Sequence, residues 1–331
     1  MIPIYQYRVQ DNSVVLPFFK KWMVTPFFRF IPWWIPANII TILSNMLMYG
    51  ALYMALTGFS GRFVFIPLLI LFYAIGDHLD GMQARQTKTS SPLGEFCDHF
   101  LDIFNNGILL YIVCLLFNIS STALIAFFLM AGYLTHAVIF FEQFTTKWLR
   151  FGKISALESV LMLAACILVS AIDRVYGFAL TPFFCGLTIV ETLFILASMG
   201  AFFTFVQIVW RTRATDIGFW EFCAFLIAVG CLSTILLQPV AIFYVITAYS
   251  GLYISNLQRG HLADGKKRLP DFAVPLFMAL AFAFEPLRQP TFLWGLYIYL
   301  ACRTLWIAGN AFLTLSKFGY GKILKYYNIN Q

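Results

Sequence analysis

Residues 77–102 read D-H-L-D-G-M-Q-A-R-Q-T-K-T-S-S-P-L-G-E-F-C-D-H-F-L-D. Asp77, Asp80, Gly81, Ala84, Arg85, Gly94, Asp98 and Asp102 form the pattern D-x2-D-G-x2-A-R-x8-G-x3-D-x3-D. Five of the fifteen acidic residues of the chain fall in this stretch. Its flanks, FIPLLILFYAIG before and FNNGILLYIVCLLF after, are apolar enough for a bilayer interior. Carboxylates there are costly without cations, so they mark a site by default.

The spacing gives that site a geometry. Asp77 and Asp80 lie three apart and Asp98 and Asp102 four apart, so each pair shares one face of a helix. The polar turn from Gln86 to Pro92 lets two such helices bring the pairs together. Four hard oxygen donors suit Mg²⁺ or Mn²⁺, which keep room for water and phosphate oxygens. Gly81 allows close backbone approach beside the second aspartate. Arg85 presents a planar fork of donors suited to phosphate. Gly94 opens the second helix, where backbone N–H groups face an anion.

The rest of the chain places this stretch in a membrane. Of 331 residues, 61% are hydrophobic and 11% charged, against about 25% charged in a soluble domain. The expected fold is all-α, a polytopic membrane helical bundle of about ten transmembrane helices preceded by an N-terminal interfacial helix. The ten apolar segments are 38–58, 63–80, 94–117, 121–142, 156–174, 181–209, 217–236, 238–257, 271–285 and 290–312. Each approaches the roughly 20 residues of a span, the ninth being short and bounded by prolines. Residues 16–34 mix Phe and Trp with Lys20, Lys21 and Arg29, as a helix lying in the interface does. The chain is read as one membrane domain, with 1–37 as the cytosolic and interfacial segment, 38–210 as the site-bearing helices and 211–331 as additional spans. No leader with a cleavage site is expected. The seven cysteines contain no C-x2-C pair, so neither disulfides nor zinc is expected.

The net charge of +7 does not indicate nucleic acid, because the cations sit between apolar segments. Sorted by alternate loops, eighteen Lys and Arg fall on one side and three (Arg62, Arg174 and Arg288) on the other, with Arg303 inside the tenth segment. Charge bias then puts the 77–102 turn in the cytosol. A transporter also carries intramembrane acids, but usually in repeated halves, and this chain shows no internal repeat. A non-catalytic scaffold would not need all four aspartates together with Arg85.

The 77–102 motif resembles, without a gap, the signature of the CDP-alcohol phosphotransferase family. Tyr5-Gln-Tyr7, Asp11-Asn12-Ser13, PWWIPANIIT (32–41), SSPLGEFCDHFLD (90–102) and FEQFTTKWLRFGKISALE (141–158) are similar to the eukaryotic-type choline/ethanolamine phosphotransferases, although the last lacks the usual Asp before its Glu. The resemblance implies a metal-dependent transferase. It would move phosphocholine or phosphoethanolamine from CDP-choline or CDP-ethanolamine to diacylglycerol and release CMP. The alternative within the family uses CDP-diacylglycerol and a polar alcohol. The implied ligands of a pair of Mg²⁺ or Mn²⁺ ions are Asp77, Asp80, Asp98 and Asp102, with Gly81, Ala84, Arg85, Gly94 and Asn38 around the nucleotide. Asn38 can equally be a helix N-cap. Asp102 or His99 is the expected base, with Glu158 orienting the imidazole. His78 reads at least as readily as a packing or hydrogen-bonding residue as a catalytic one, His136 and Glu142 as weaker candidates and His261 as loop. Membrane lipid is a further expected partner besides the diacylglycerol acceptor, a homodimer is compatible with the family, and the compartment is a bacterial inner membrane or the endoplasmic reticulum and Golgi.

The charge asymmetry makes the orientation testable. A membrane-impermeant thiol reagent applied to sealed cells should label cysteines introduced beside Arg174 and Arg288. It should not label one introduced at Thr89; labelling there would reverse the orientation.

Overall fold

The computed structural model describes residues 8–318. Tyr5-Gln-Tyr7 and the lysines at 322 and 325, used above, lie outside the described residues. The chain enters as β1 (Val9–Asp11), which pairs in parallel with β2 (Leu149–Phe151). A helical run follows without a break: α1 (Leu16–Phe19), a π-helical turn Lys20–Val24, and α2 (Thr25–Phe28). It buries Phe19 and Val24 and leaves Phe18, Trp22 and Phe27 exposed, as expected of a helix in the membrane interface.

The long helices are α3 (Ala37–Leu56), α4 (Arg62–Gln86), α5 (Pro92–Leu116), α6 (Thr122–Thr146), α9 (Ile189–Thr212), α10 (Ile217–Leu236), α11 (Pro239–Arg259, continued by a π-helical turn to Asp264) and α13 (Pro290–Leu315). Among the described residues these eight are long and apolar enough to cross a membrane. The fifth and ninth expected segments differ. The fifth is two helices, α7 (Ala156–Val169) and α8 (Asp173–Ala179), bent by 117°. Fourteen residues of helix reach only about 21 Å, so α7 alone falls short of a span. The ninth is α12 (Ala273–Ala283), only 11 residues. The sixth begins late, because β3 (Pro182–Phe184) and β4 (Leu187–Thr188) form a hairpin before α9. Thr188 and Glu191 then start the helix with a reciprocal capping box.

The chain gathers into two compact units that interleave along the sequence. The first takes residues up to Ile112, then Trp148–Ala179, and the chain from Ala311 onward. The second takes Val113–Lys147 and Leu180–Asn310. The division expected at 210/211 falls inside the second unit.

In the first unit, α4 is the central element and packs on α3 and α7. Phe19 and Val24 of the surface helix join Ala74, Ile75 and Leu79 of α4 and Leu157 of α7 in one buried cluster. Gly76 faces Ser44 of α3 so closely that a Cβ at 76 would overlap the Ser44 Cβ. The two backbones can approach this far only without a side chain at 76.

In the second unit, α6 packs against α9, α10 and α11. Glu142 on α6 is fully buried and receives Arg211 Nε at 2.8 Å and Nη2 at 2.5 Å. His136 is stacked at a tilt on Phe140, with ring centroids 5.0 Å apart. Glu142 is thus held in an ion pair with Arg211. His261 lies in the π-helical end of α11 rather than in a loop, because the helix runs on through Asp264.

The α3–α4 contact can be tested by size. Gly76→Ala should cost about 1–3 kcal/mol through overpacking, read as a lower Tm in detergent. Gly177→Ala meets nothing within 4 Å and should leave Tm close to wild type.

Candidate active site

The acidic motif occupies the end of α4, the turn 87–91 and the start of α5, all in the first unit. The turn is organised by short-range hydrogen bonds. Thr87 Oγ1 donates to Gln83 O at 2.7 Å and lies 2.8 Å from Thr89 Oγ1, while Thr89 N donates to Ala84 O at 2.9 Å. Ser91 caps α5, its Oγ accepting from Gly94 N at 3.0 Å, and Pro92 occupies the first helical position, which needs no donor.

This arrangement brings Asp77, Asp98 and Asp102 together. One carboxylate oxygen from each lies within 4.8 Å of the other two. Asp98 Oδ1 is buried without a hydrogen-bond partner. Asp102 Oδ1 accepts from Tyr73 OH at 2.7 Å. Among the described residues no Lys or Arg forms an ion pair with these three carboxylates. Three half-buried carboxylates with an unused oxygen repel one another unless a cation sits among them, and an all-oxygen donor set suits a hard divalent ion. The residues therefore fit the metal centre expected from the sequence.

Asp80 stands beside this group rather than in it. It is 5% exposed, and its Oδ2 accepts from Thr41 Oγ1 at 2.6 Å. The spacing argument put four carboxylates at one point, whereas α4 turns Asp80 toward α3. Thr41 O accepts from Asn45 Nδ2 at 2.7 Å, and Asn45 in turn accepts from Asn105 of α5. A polar thread thus joins three helices beneath the carboxylates.

The other expected site residues fall around the same end of the unit. Arg85 folds back over Gly81, where a Cβ would sit 3.3 Å from Nη1. The absence of a side chain at Gly81 leaves room for the arginine to lie along its own helix. Ala84 is half-buried one residue away. Asn38 is inside α3, one residue past its start, and the N-cap is Pro36, so the capping alternative does not hold. Its Oδ1 instead lies 3.5 Å from where a Gly94 Cβ would be, which brings the start of α3 to the start of α5.

Glu158 has other partners than the one expected. It receives Val15 N at 3.1 Å, Ser155 N at 2.8 Å, Ser155 Oγ at 2.6 Å and Ser13 Oγ. No hydrogen bond or ion pair joins it to His99. It closes the capping box of α7 and ties the N-terminal segment to it. The carboxylate beside His99 is Glu95, one turn earlier on α5, with Oε1 4.0 Å from Nδ1. Both side chains are buried. His78 has its Nδ1 3.0 Å from Ala74 O and 3.5 Å from Asp77 Oδ2, and its ring edge-on to Phe19 at 5.4 Å.

Three contributors went unnoticed in the sequence. Gln83 is fully buried and donates to Pro32 O at 3.0 Å and Ile35 O at 2.8 Å, fixing the loop before α3 to the motif helix. Tyr73 lies one turn before Asp77, on the same face, a spacing that could have flagged it. Lys20 is brought to the motif by the surface helix. Burial lowers its pKa below the ordinary lysine value, the Arg85 guanidinium lowers it further, and Asp11 opposes both. Two cations thus share the neighbourhood, and nothing local in the sequence pairs residues 20 and 85.

A multi-pass membrane protein with a half-buried, metal-competent acidic centre between two helices is thereby defined. Residues 34–190 match the family model described as CDP-alcohol phosphatidyltransferase. It is 40% identical over 106 residues to an uncharacterized CDP-alcohol phosphatidyltransferase class-I family protein 2 of Dictyostelium discoideum, covering 30% of this chain and 26% of that one. It is 35% identical over 106 residues to choline/ethanolaminephosphotransferase 1 of Arabidopsis thaliana, covering 30% and 27%. It is 26% identical over 190 residues to cholinephosphotransferase 1 of Saccharomyces cerevisiae, covering 53% and 46%. The chain spans about half the length, or less, of these relatives.

The reassignment of Glu158 has a direct consequence. Glu158→Gln should make the segment 8–15 more accessible to limited proteolysis, since a neutral amide accepts less strongly from four donors. Protease resistance equal to wild type would remove it as the tie.

Proposed function

We propose that this chain transfers phosphocholine or phosphoethanolamine from a CDP-linked donor to diacylglycerol, giving phosphatidylcholine or phosphatidylethanolamine and CMP. The observation that carries this reading is the convergence of Asp77, Asp98 and Asp102, with Asp98 Oδ1 left over, inside the matched domain. The choice of headgroup follows the names of the relatives in Arabidopsis and Saccharomyces. By charge bias the site faces the cytosol.

Asp77, Asp98 and Asp102 would hold Mg²⁺ or Mn²⁺, with Asp80, held by Thr41, as a further carboxylate beside them. A divalent ion supplies charge for the diphosphate and for the leaving CMP oxygen. The side chains do the rest. Arg85, kept in place above Gly81, presents paired donors to phosphate oxygens, and Lys20 adds a second positive charge from the surface helix. Asn38, against Gly94, is placed where a nucleotide could meet the starts of α3 and α5. Tyr73 donates to Asp102, and Thr41 donates to Asp80, so each carboxylate is held in one orientation. His99 or Asp102 takes the proton of the diacylglycerol hydroxyl. His99 suits this because Glu95 beside it stabilises the charged imidazole.

Purified full chain should convert radiolabelled CDP-choline or CDP-ethanolamine, with diacylglycerol, to phospholipid in a reaction lost in excess EDTA. Asp77→Asn and Asp98→Asn should each lower kcat by several orders of magnitude, as loss of phosphoryl charge stabilisation does. Lys20→Met should raise KM for the donor more than it lowers kcat. His99→Ala should lower kcat with donor binding retained, and Glu95→Gln should lower it less. Turnover of CDP-diacylglycerol alone would overturn the proposed donor, and full turnover in EDTA would overturn the metal.

A further inference from the structure

The second unit contains a cavity of about 560 Å³ between the end of α9, the start of α10 and the segment 267–269. Arg213, Lys267 and Arg268 line it against a single carboxylate, Asp216. Lys267 Nζ reaches Asp216 Oδ2 at 2.6 Å, and Arg268 is paired with Asp264 at 2.7 Å. Arg213 has no ion pair among the described residues. Its backbone is left-handed, with φ 48. Arg213 is the C-cap of α9, its N–H returning to Trp210 O and Val209 O, so the left-handed turn ends the helix and leaves the side chain at the cavity. Asp216 already caps α10, accepting from Phe219 N at 3.0 Å, so the helix end is satisfied and the unspent charge is on the arginine.

The surroundings set the depth of the cavity. Its rim carries Ile217 and Leu269, each 74% exposed. Trp210 is 82% exposed before the loop, and Trp220 after it donates Nε1 to Ala214 O at 2.9 Å. Exposed tryptophans bracketing a basic loop, at the ends of two spans, mark the headgroup level of a bilayer. Apolar side chains at the mouth with cations inside match one ligand chemistry: a phosphate whose ester continues into acyl chains.

We propose that this cavity binds the phosphate-bearing headgroup of an anionic phospholipid from the surrounding leaflet. Arg213 is the principal phosphate contact, Lys267 and Arg268 add positive field, and Ile217 and Leu269 lie along the first acyl carbons. A zwitterionic headgroup would bring its own cation against the three basic side chains and bind less well. The site shares no residue with the acidic centre of the first unit.

The test uses the full chain, delipidated in a neutral detergent, with phosphatidic acid and phosphatidylcholine of matched acyl chains as probes in native mass spectrometry. Wild type should retain one phosphatidic acid about tenfold more tightly than phosphatidylcholine, and loss of one cation should cost about fivefold. Arg213→Gln should show that loss and Arg213→Lys should keep most of the preference. Arg213→Gly relieves the left-handed strain, so it should fold at least as stably as wild type while losing the preference. Equal retention of the two lipids, or an Arg213→Gly protein with an unchanged preference, would overturn the proposal. Displacement of the lipid by millimolar inorganic phosphate would also overturn it, in favour of a site for a free anion.

Discussion

The first unit depends on one constraint: several carboxylates must be held close together at the end of apolar helices. Water normally solvates such groups, and a bilayer offers none. The fold meets the constraint in two ways. Neutral donors hold single oxygens, Tyr73 on Asp102 and Thr41 on Asp80, which fixes orientation without cancelling charge. The remaining oxygens are left to converge, and Asp98 Oδ1 is left with no protein partner at all. A lysine or arginine buried among them would have neutralised the group and removed its capacity for a metal.

Holding that arrangement requires a stiff frame. Gly76 precedes Asp77 directly, so the close approach of α3 to α4 lies beside the first carboxylate of the motif. Gln83, two turns further on, fastens the loop before α3 with two carbonyl acceptors. Between these points α4 has little freedom to rotate, and rotation by a fraction of a turn would disperse the carboxylates. The thread from Asp80 through Thr41 and Asn45 to Asn105 adds the third helix. Small and polar residues serve this purpose in a membrane because apolar side chains gain little by leaving lipid for one another.

The surface helix is tied at both ends to the same frame. Glu158 collects Ser13, Val15 and Ser155 at one end, and Phe19 and Val24 enter the α4–α7 cluster further along. Lys20, between these anchors, therefore has a defined place beside Arg85. In the second unit, basic residues are handled differently. Arg211 is consumed by the buried Glu142, a pair whose disruption costs about 3–5 kcal/mol when fully desolvated and less with the arginine half in water. Arg213, two residues on, has no such pair among the described residues.

The sequence by itself determined what local chemistry determines. Hydrophobic runs of span length set the apolar segments, because the bilayer thickness is fixed, and helix boundaries fell within a few residues at Pro92, Ile217 and Pro290. The D-x2-D-G-x2-A-R-x8-G-x3-D-x3-D spacing located the acidic centre, since a helix repeats its face every three to four residues. Run length does not show where a helix bends, so α7 and α8 looked like one span and the hairpin before α9 like part of another. Tertiary structure alone decided which charged groups meet. It put Asp80 on Thr41 instead of among the converging carboxylates, gave His99 the neighbour Glu95, spent Glu158 on Ser13 and Ser155, and carried Lys20 to Arg85. Each of those pairings rests on how two helices pack and rotate, and that rotation is set by close contacts such as Gly76 on Ser44, which have no signature along a single helix.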